Sequence, residues 1–271
     1  MAGIALKNVL EYSGVPGIVR LYGTPYEEAS VGKPLLGKAG AFENLDFVLD
    51  WHPHGGNYAY YEVCNSVFVL NFTFKGKKSH GARPWLGRSA FGAAMATETQ
   101  VEAETVTYTH NKLPNKVLSK VVYDNLVYYG APDYTEEEQE FVKKMQCEEG
   151  VEPTGLDTEI KPYGPGQTGI TDASEYSWAA PFTCLWIAMG PAGGWHNWMV
   201  TACAGNSIGK KALVRGAQIL CASAVDMLTN PQKIREAQDE LHERTKGEPY
   251  KCLLPEDHKP PLGINAAVMD K

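Results

Sequence analysis

Two adjacent carboxylates and two well-separated histidines stand out among the residues able to do chemistry. The carboxylates lie in Gly23-Thr24-Pro25-Tyr26-Glu27-Glu28. One histidine follows in Trp51-His52-Pro53, and His196 sits far downstream in Gly193-Gly194-Trp195-His196-Asn197-Trp198. Such a set can hydrolyse: one carboxylate and the imidazoles hold a metal ion, while the second carboxylate takes a proton from a bound water. A plainer reading stands beside it. Thr24 suits a helix N-cap, Pro25 the first helical position and Glu27 the acid of a capping box, with Glu28 only favouring the helix dipole. His54 offers a second imidazole near His52, and His52, directly after Trp51, is taken as the one that faces a cleft. Paired glycines before His196 permit close approach to a ligand, although a simple strand-to-helix loop explains them equally.

Three further groups carry weaker signals. His80, after the basic turn Lys75-Gly76-Lys77-Lys78, is either a surface histidine or a donor to a developing oxyanion. Arg83 and Arg88 could hold a substrate carboxylate. Asp172 and Glu175 are either solvated loop acids or acids that orient a histidine ligand. The chain has no Gly-rich phosphate loop of standard spacing and no Gly-x-Ser-x-Gly elbow.

These residues need elements to position them. A helix is expected from Ala2 to Tyr12, ended by Gly14 and Pro16, then a buried strand over Gly17–Tyr22 and a helix from Pro25. Strands are expected over Leu45–Trp51, Ser66–Lys75, Val101–Tyr108 and Phe182–Met189. Helices are expected from Ser89, over Asn115–Tyr129, Thr135–Gln146 and Ile208–Leu228, and from Pro231 to about Lys246. Residues 149–167, rich in Gly, Pro and acids, read as a loop. Strands and helices alternating through short loops predict an α/β fold with parallel pairing, and sites in such sheets lie at the carboxyl ends of strands.

The chain has 271 residues, 44% hydrophobic and 21% charged, with a formal net charge of -7. An acidic chain without a basic stripe is a poor partner for nucleic acid or anionic membrane. No apolar run approaches a membrane span, and the N-terminus lacks the pattern of a signal peptide. Six scattered cysteines without a CxxC pair read as reduced thiols, and the expected location is cytoplasmic.

As an ordered set, the motifs resemble the metal-dependent amidohydrolases and exopeptidases that include aminoacylases, carboxypeptidase G and the auxin-conjugate hydrolases. Within them the chain looks most like the p-aminobenzoyl-glutamate hydrolase B-subunit group. The matching pieces are Gly23–Glu28, Trp51-His52-Pro53, Phe74–Ala82, Pro84–Ala90, Leu113-Pro114-Asn115, Thr171-Asp172 and Trp195-His196. The resemblance implies a three-layer metallo-exopeptidase-like domain with a mixed, mainly parallel sheet and an inserted α+β lid. That gives a catalytic domain in two segments, 1–64 and 111–271, around a shortened lid or dimerisation domain, 65–110. It implies Glu27 as general base, Glu28, His52 and His196 as metal ligands, and His80 as the lid histidine that steadies the tetrahedral intermediate. Asp172, Arg83 and Arg88 are its weaker supporting or substrate-contact positions.

The implied reaction is hydrolysis of an amide in an N-acyl or aminobenzoyl amino acid or small peptide. The implied cofactor is zinc or manganese, and the implied assembly is a homodimer or heteromer through the lid. The family's Cys-x-His metal motif has no counterpart here, so one ion is expected rather than two, with weak or lost activity. A non-catalytic subunit that pairs with a complete relative, or a gene fragment, is the alternative. Tyr26 stands where relatives usually carry a small residue.

Overall fold

The computed structural model describes residues 1–75, 82, 101–192 and 196–262. Helix α1 (Ala2–Ser13) closes on Gly14, whose φ of 68° supplies the left-handed cap that ends a helix without a Cβ penalty. The stretch Gly17–Tyr22, expected as a buried strand, forms no strand and pairs with none among the described residues. Ile18 and Leu21 on it are exposed. Side chains tie it down instead of a ladder: Arg20 donates to the Glu43 carbonyl and the Tyr22 hydroxyl to the Ala41 carbonyl. The helix expected from Pro25 is likewise displaced. A 3-10 turn covers Glu27–Ala29, and α2 (Gly32–Lys38) begins only after it.

Strands β1 (Val48–His54), β2 (Tyr61–Val63) and β3 (Phe68–Phe74) follow, then β4 (Val101–Tyr108). Helix α3 (Lys116–Tyr129) starts at Asn115, whose side chain accepts the Leu118 N–H. Helix α4 (Glu136–Glu148) starts with a full capping box between Thr135 and Glu138. The expected loop over 149–167 holds one short strand, β5 (Pro165–Gln167). A 3-10 turn over Asp172–Glu175 runs into α5 (Tyr176–Ala179), then β6 (Phe182–Ala188). The chain continues with α6 (Trp198–Ala204), α7 (Ser207–Leu228) and α8 (Pro231–Thr245).

The strands form three pairs: β1–β6 and β2–β5 parallel, β3–β4 antiparallel. The β1–β6 pair is the middle of three layers, and strand alternation shows why. Leu49, Trp51, Leu185 and Ile187 share one face and pack with Val122 and Leu126 of α3 and Ala212 and Ile219 of α7. Val48, Phe182, Cys184 and Trp186 share the other, against Leu36 of α2, Phe42 and Tyr176. The architecture is therefore α/β, with helices on both faces of parallel strands. Gly216 of α7 lies where a Cβ would come within 3.2 Å of the Trp51 ring, so α7 sits close against the sheet. Among the described residues no single helix is long and apolar enough to cross a membrane. All six cysteines are free thiols, three of them buried.

Candidate active site

His52 stands at the carboxyl end of β1, and Trp186 is its register partner on β6. Residues two apart on a strand share a face, so His52 and His54 both rest on Trp186, with ring centroids 4.8 Å and 5.3 Å away. Depth separates them. His54 is half-buried and meets Tyr58 edge-on, and burial pulls its pKa below the ordinary histidine value. His52 is exposed, and its Nδ1 lies 2.6 Å from the Pro53 carbonyl oxygen. A proton on Nδ1 would satisfy that carbonyl and leave Nε2 as the free ligand atom, the arrangement that orients metal-binding imidazoles elsewhere.

The 3-10 turn sends the two carboxylates different ways. Glu27 is half-buried, and its Oε1 accepts a hydrogen bond of 2.8 Å from the Thr171 hydroxyl. Glu28 is exposed, with Oε1 3.9 Å from His196 Nδ1. His196 adopts the left-handed backbone, with φ of 65°, just before Asn197, whose side chain caps α6 through the Val200 N–H. Glu28, His52 and His196 line one cleft of about 560 Å³, together with Pro53, Trp198 and Val200. The cleft lies off the carboxyl ends of β1 and β6, where open α/β sheets bind ligands. His80, Arg83 and Arg88 fall outside the described residues, as does the helix expected from Ser89.

The donor types, two imidazoles and a carboxylate, suit a divalent ion of the zinc class. The distances are those of an open site: among the described residues, no three His, Cys, Asp or Glu side chains are grouped closely enough to hold a metal ion.

Asp172 does something other than orient a histidine. It is buried, Lys33 Nζ donates to it over 2.6 Å and the Lys33 backbone N–H over 3.0 Å. Burial raises its pKa above the usual carboxylate value, and Lys33 partly offsets this. Glu175 does hold a histidine, but His110. It receives the His110 backbone N–H at 2.7 Å and the Tyr250 hydroxyl at 2.7 Å, and lies 3.0 Å from His110 Nδ1.

Beneath the cleft lie charges that the sequence motifs do not announce. Asp50 shares the His52 face of β1. Burial raises its carboxyl pKa, against the Trp51 N–H it accepts and the fields of Lys33, His52 and Lys112. Glu62 and Lys112 form a buried ion pair. Burial pushes Glu62 up, with Lys112 opposing. Burial pulls Lys112 down, but the Glu62 carboxylate wins and holds it above the usual lysine value. A carboxylate inside the apolar run Leu45–Trp51 was the one local signal that could have flagged Asp50.

No family model matches the chain. The chain is 24% identical over 361 residues to the B-subunit of p-aminobenzoyl-glutamate hydrolase from Escherichia coli K12, covering 96% of this chain and 74% of the relative. It is 26% identical over 304 residues to Xaa-Arg dipeptidase of Mus musculus, covering 94% of this chain and 68% of that protein. Both matches are longer than the chain's own 271 residues, so each relative carries residues within the matched region that this chain lacks. Among solved structures, the YXEP protein of Bacillus subtilis, a dinuclear metal-binding peptidase of the M20 family, is 14% identical with a TM-score of 0.43, over 84% of this chain and 70% of that one. Along nearly its whole length, then, the chain is similar to named amide and dipeptide hydrolases.

Proposed function

We propose that this cleft hydrolyses an amide bond in an N-acyl or aminobenzoyl amino acid or a small peptide, with one divalent ion, zinc or manganese. The observation that carries the reading is that Glu28, His52 and His196, from three distant segments, line one cleft. Glu27 stands on the turn that carries Glu28. Those three residues stand too far apart as described to close on an ion and would have to draw together around it; the ion, when bound, would polarise a carbonyl and acidify water. Glu27 takes the proton from the attacking water and returns it to the leaving amine. His52 is held for its task by the Pro53 carbonyl, and Trp186 backs its ring. His80 is proposed as the oxyanion donor, and Arg83 and Arg88 as the grip on a substrate carboxylate. Activity is proposed to be weak, because three exposed donors in an open arrangement bind an ion less tightly than a closed set. Residues 65–110, which contain the β3–β4 pair, are proposed as a shortened lid. Free thiols throughout support a reducing, cytoplasmic location.

The test is direct. Purified protein titrated with zinc or manganese should bind about one equivalent and cleave members of a panel of N-acyl amino acids, aminobenzoyl-amino acids and dipeptides. Glu27→Gln should cut cleavage by about 10²- to 10⁴-fold and keep the metal. Absence of metal uptake, or full activity in Glu27→Gln, would sink the proposal.

A second reading, a non-catalytic partner of a complete relative, is favoured by one observation. Phe68, Phe72 and Phe74 leave an exposed aromatic surface on β3, within the proposed lid. A mass by light scattering that stays monomeric with and without a full-length relative would count against it.

A further inference from the structure

We infer that Thr171 and Asp172 clamp the turn that carries Glu27 and Glu28, and that Thr171 is the positioning residue that aims the Glu27 carboxylate. The part concerning catalysis rests on the proposed role of Glu27 as base.

The clamp grips the turn at two places. The Thr171 hydroxyl donates to Glu27 Oε1 over 2.8 Å in its middle. Asp172 holds both the backbone N–H and the ammonium of Lys33 behind it. Thr171 is itself fixed, because its oxygen accepts the Ala173 N–H at 3.2 Å as the cap of its own 3-10 turn. With that lone pair engaged, the hydroxyl hydrogen is directed at Glu27. One carboxylate oxygen is thereby occupied, and Oε2 is left to receive a proton.

The turn needs such a grip. Tyr26 and Ser30 both sit in the left-handed region, at φ 62° and 52°. A Cβ on Gly32 would collide with the Pro25 carbonyl oxygen, so the two ends of the turn touch. The Thr107 hydroxyl adds a bond to the Ser30 carbonyl. Backbone in sparsely populated conformations persists only where its surroundings over-determine it, and such strain gathers at sites that need fixed geometry.

The test uses the full chain and has a readout independent of activity. A double-mutant cycle joins Thr171→Val, which keeps the side chain's shape and removes the hydroxyl, with Glu27→Ala. Loss of the Ala173 cap enters both arms and cancels. Thr171→Val should lower Tm by roughly 2 to 4 °C more in the parent than in Glu27→Ala, the effect of one hydrogen bond in a chain of this size. Thr171→Ser should restore the parent value. In metal-loaded protein, Thr171→Val should reduce kcat about tenfold with KM within about twofold, and Thr171→Ser should recover it. Additive Tm shifts would overturn the Thr171–Glu27 coupling, and an unchanged kcat would overturn its catalytic consequence. A parent protein with no hydrolysis would defeat the role of Glu27, while the cycle would still decide the clamp.

Discussion

Glu27 and Glu28 are neighbours in the chain, yet one is half-buried against Thr171 and the other faces His196 across open solvent. Their substitutions should therefore separate. Glu27→Gln is expected to cut kcat by about 10²- to 10⁴-fold, the range of a lost general base, with metal affinity kept. Glu28→Ala is expected to weaken metal binding measured by calorimetry, a pattern that equal loss in both variants would refute. Residue types and spacing made Glu27, Glu28, His52 and His196 legible, because each follows a strand-like or glycine-marked segment where α/β folds place sites. The partner of Asp172 was not legible, since Lys33 lies 139 residues away and nothing local announces a buried lysine. Tyr26 acquires a physical meaning only in three dimensions. Its left-handed backbone costs a residue with a Cβ about 1–2 kcal/mol, a cost that only glycine would escape.

Helices that carry their own start signals are legible in the sequence, strands less so. Asn115, Thr135 with Glu138, and Asn230 with Pro231 mark starts that appear where the sequence places them. Gly17–Tyr22 has strand composition but pairs with no strand among the described residues, and pairing is a long-range property that a local pattern does not contain. Thr135→Ala should cost about 1 kcal/mol in chemical denaturation, as loss of a helix cap does. Glu138 also links stability to pH. Burial alone would raise its pKa, but Lys211, Ser207 and the Thr135 N–H hold it down to about 2, against an ordinary 4.5. A depressed carboxylate stabilises the fold fully above its unfolded value and loses that contribution as pH falls through its folded one. Glu138→Gln should therefore lower stability at neutral pH and flatten the decline between about pH 4.5 and pH 2. An unchanged acid limb would contradict this. For the buried pair, Lys112→Met alone should cost about 3 kcal/mol by leaving Glu62 unpartnered, and replacing both residues by apolar ones should cost less.

At the scale of the whole molecule, metal binding and folding are one equilibrium. An ion held only by the native cleft, at a hundredfold over its dissociation constant, should add about 2.7 kcal/mol of stability. The gain should vanish with chelator and in His196→Ala, and a melt indifferent to metal would argue against the site. The parallel register of β1 with β6 joins Val48 to Phe182 and His54 to Ala188. Between those strands lie β2 to β5 and helices α3 to α5, all of which leave the ribosome before β1 meets its partner. During synthesis, β1 thus exposes the apolar face of Leu49 and Trp51 and an open edge for more than a hundred residues of elongation. Nascent chains arrested before Phe182 should remain sensitive to protease, and resistance should arrive only once β6 and α7 have emerged. The cleft then comes into being late, as a product of the order in which the chain is made.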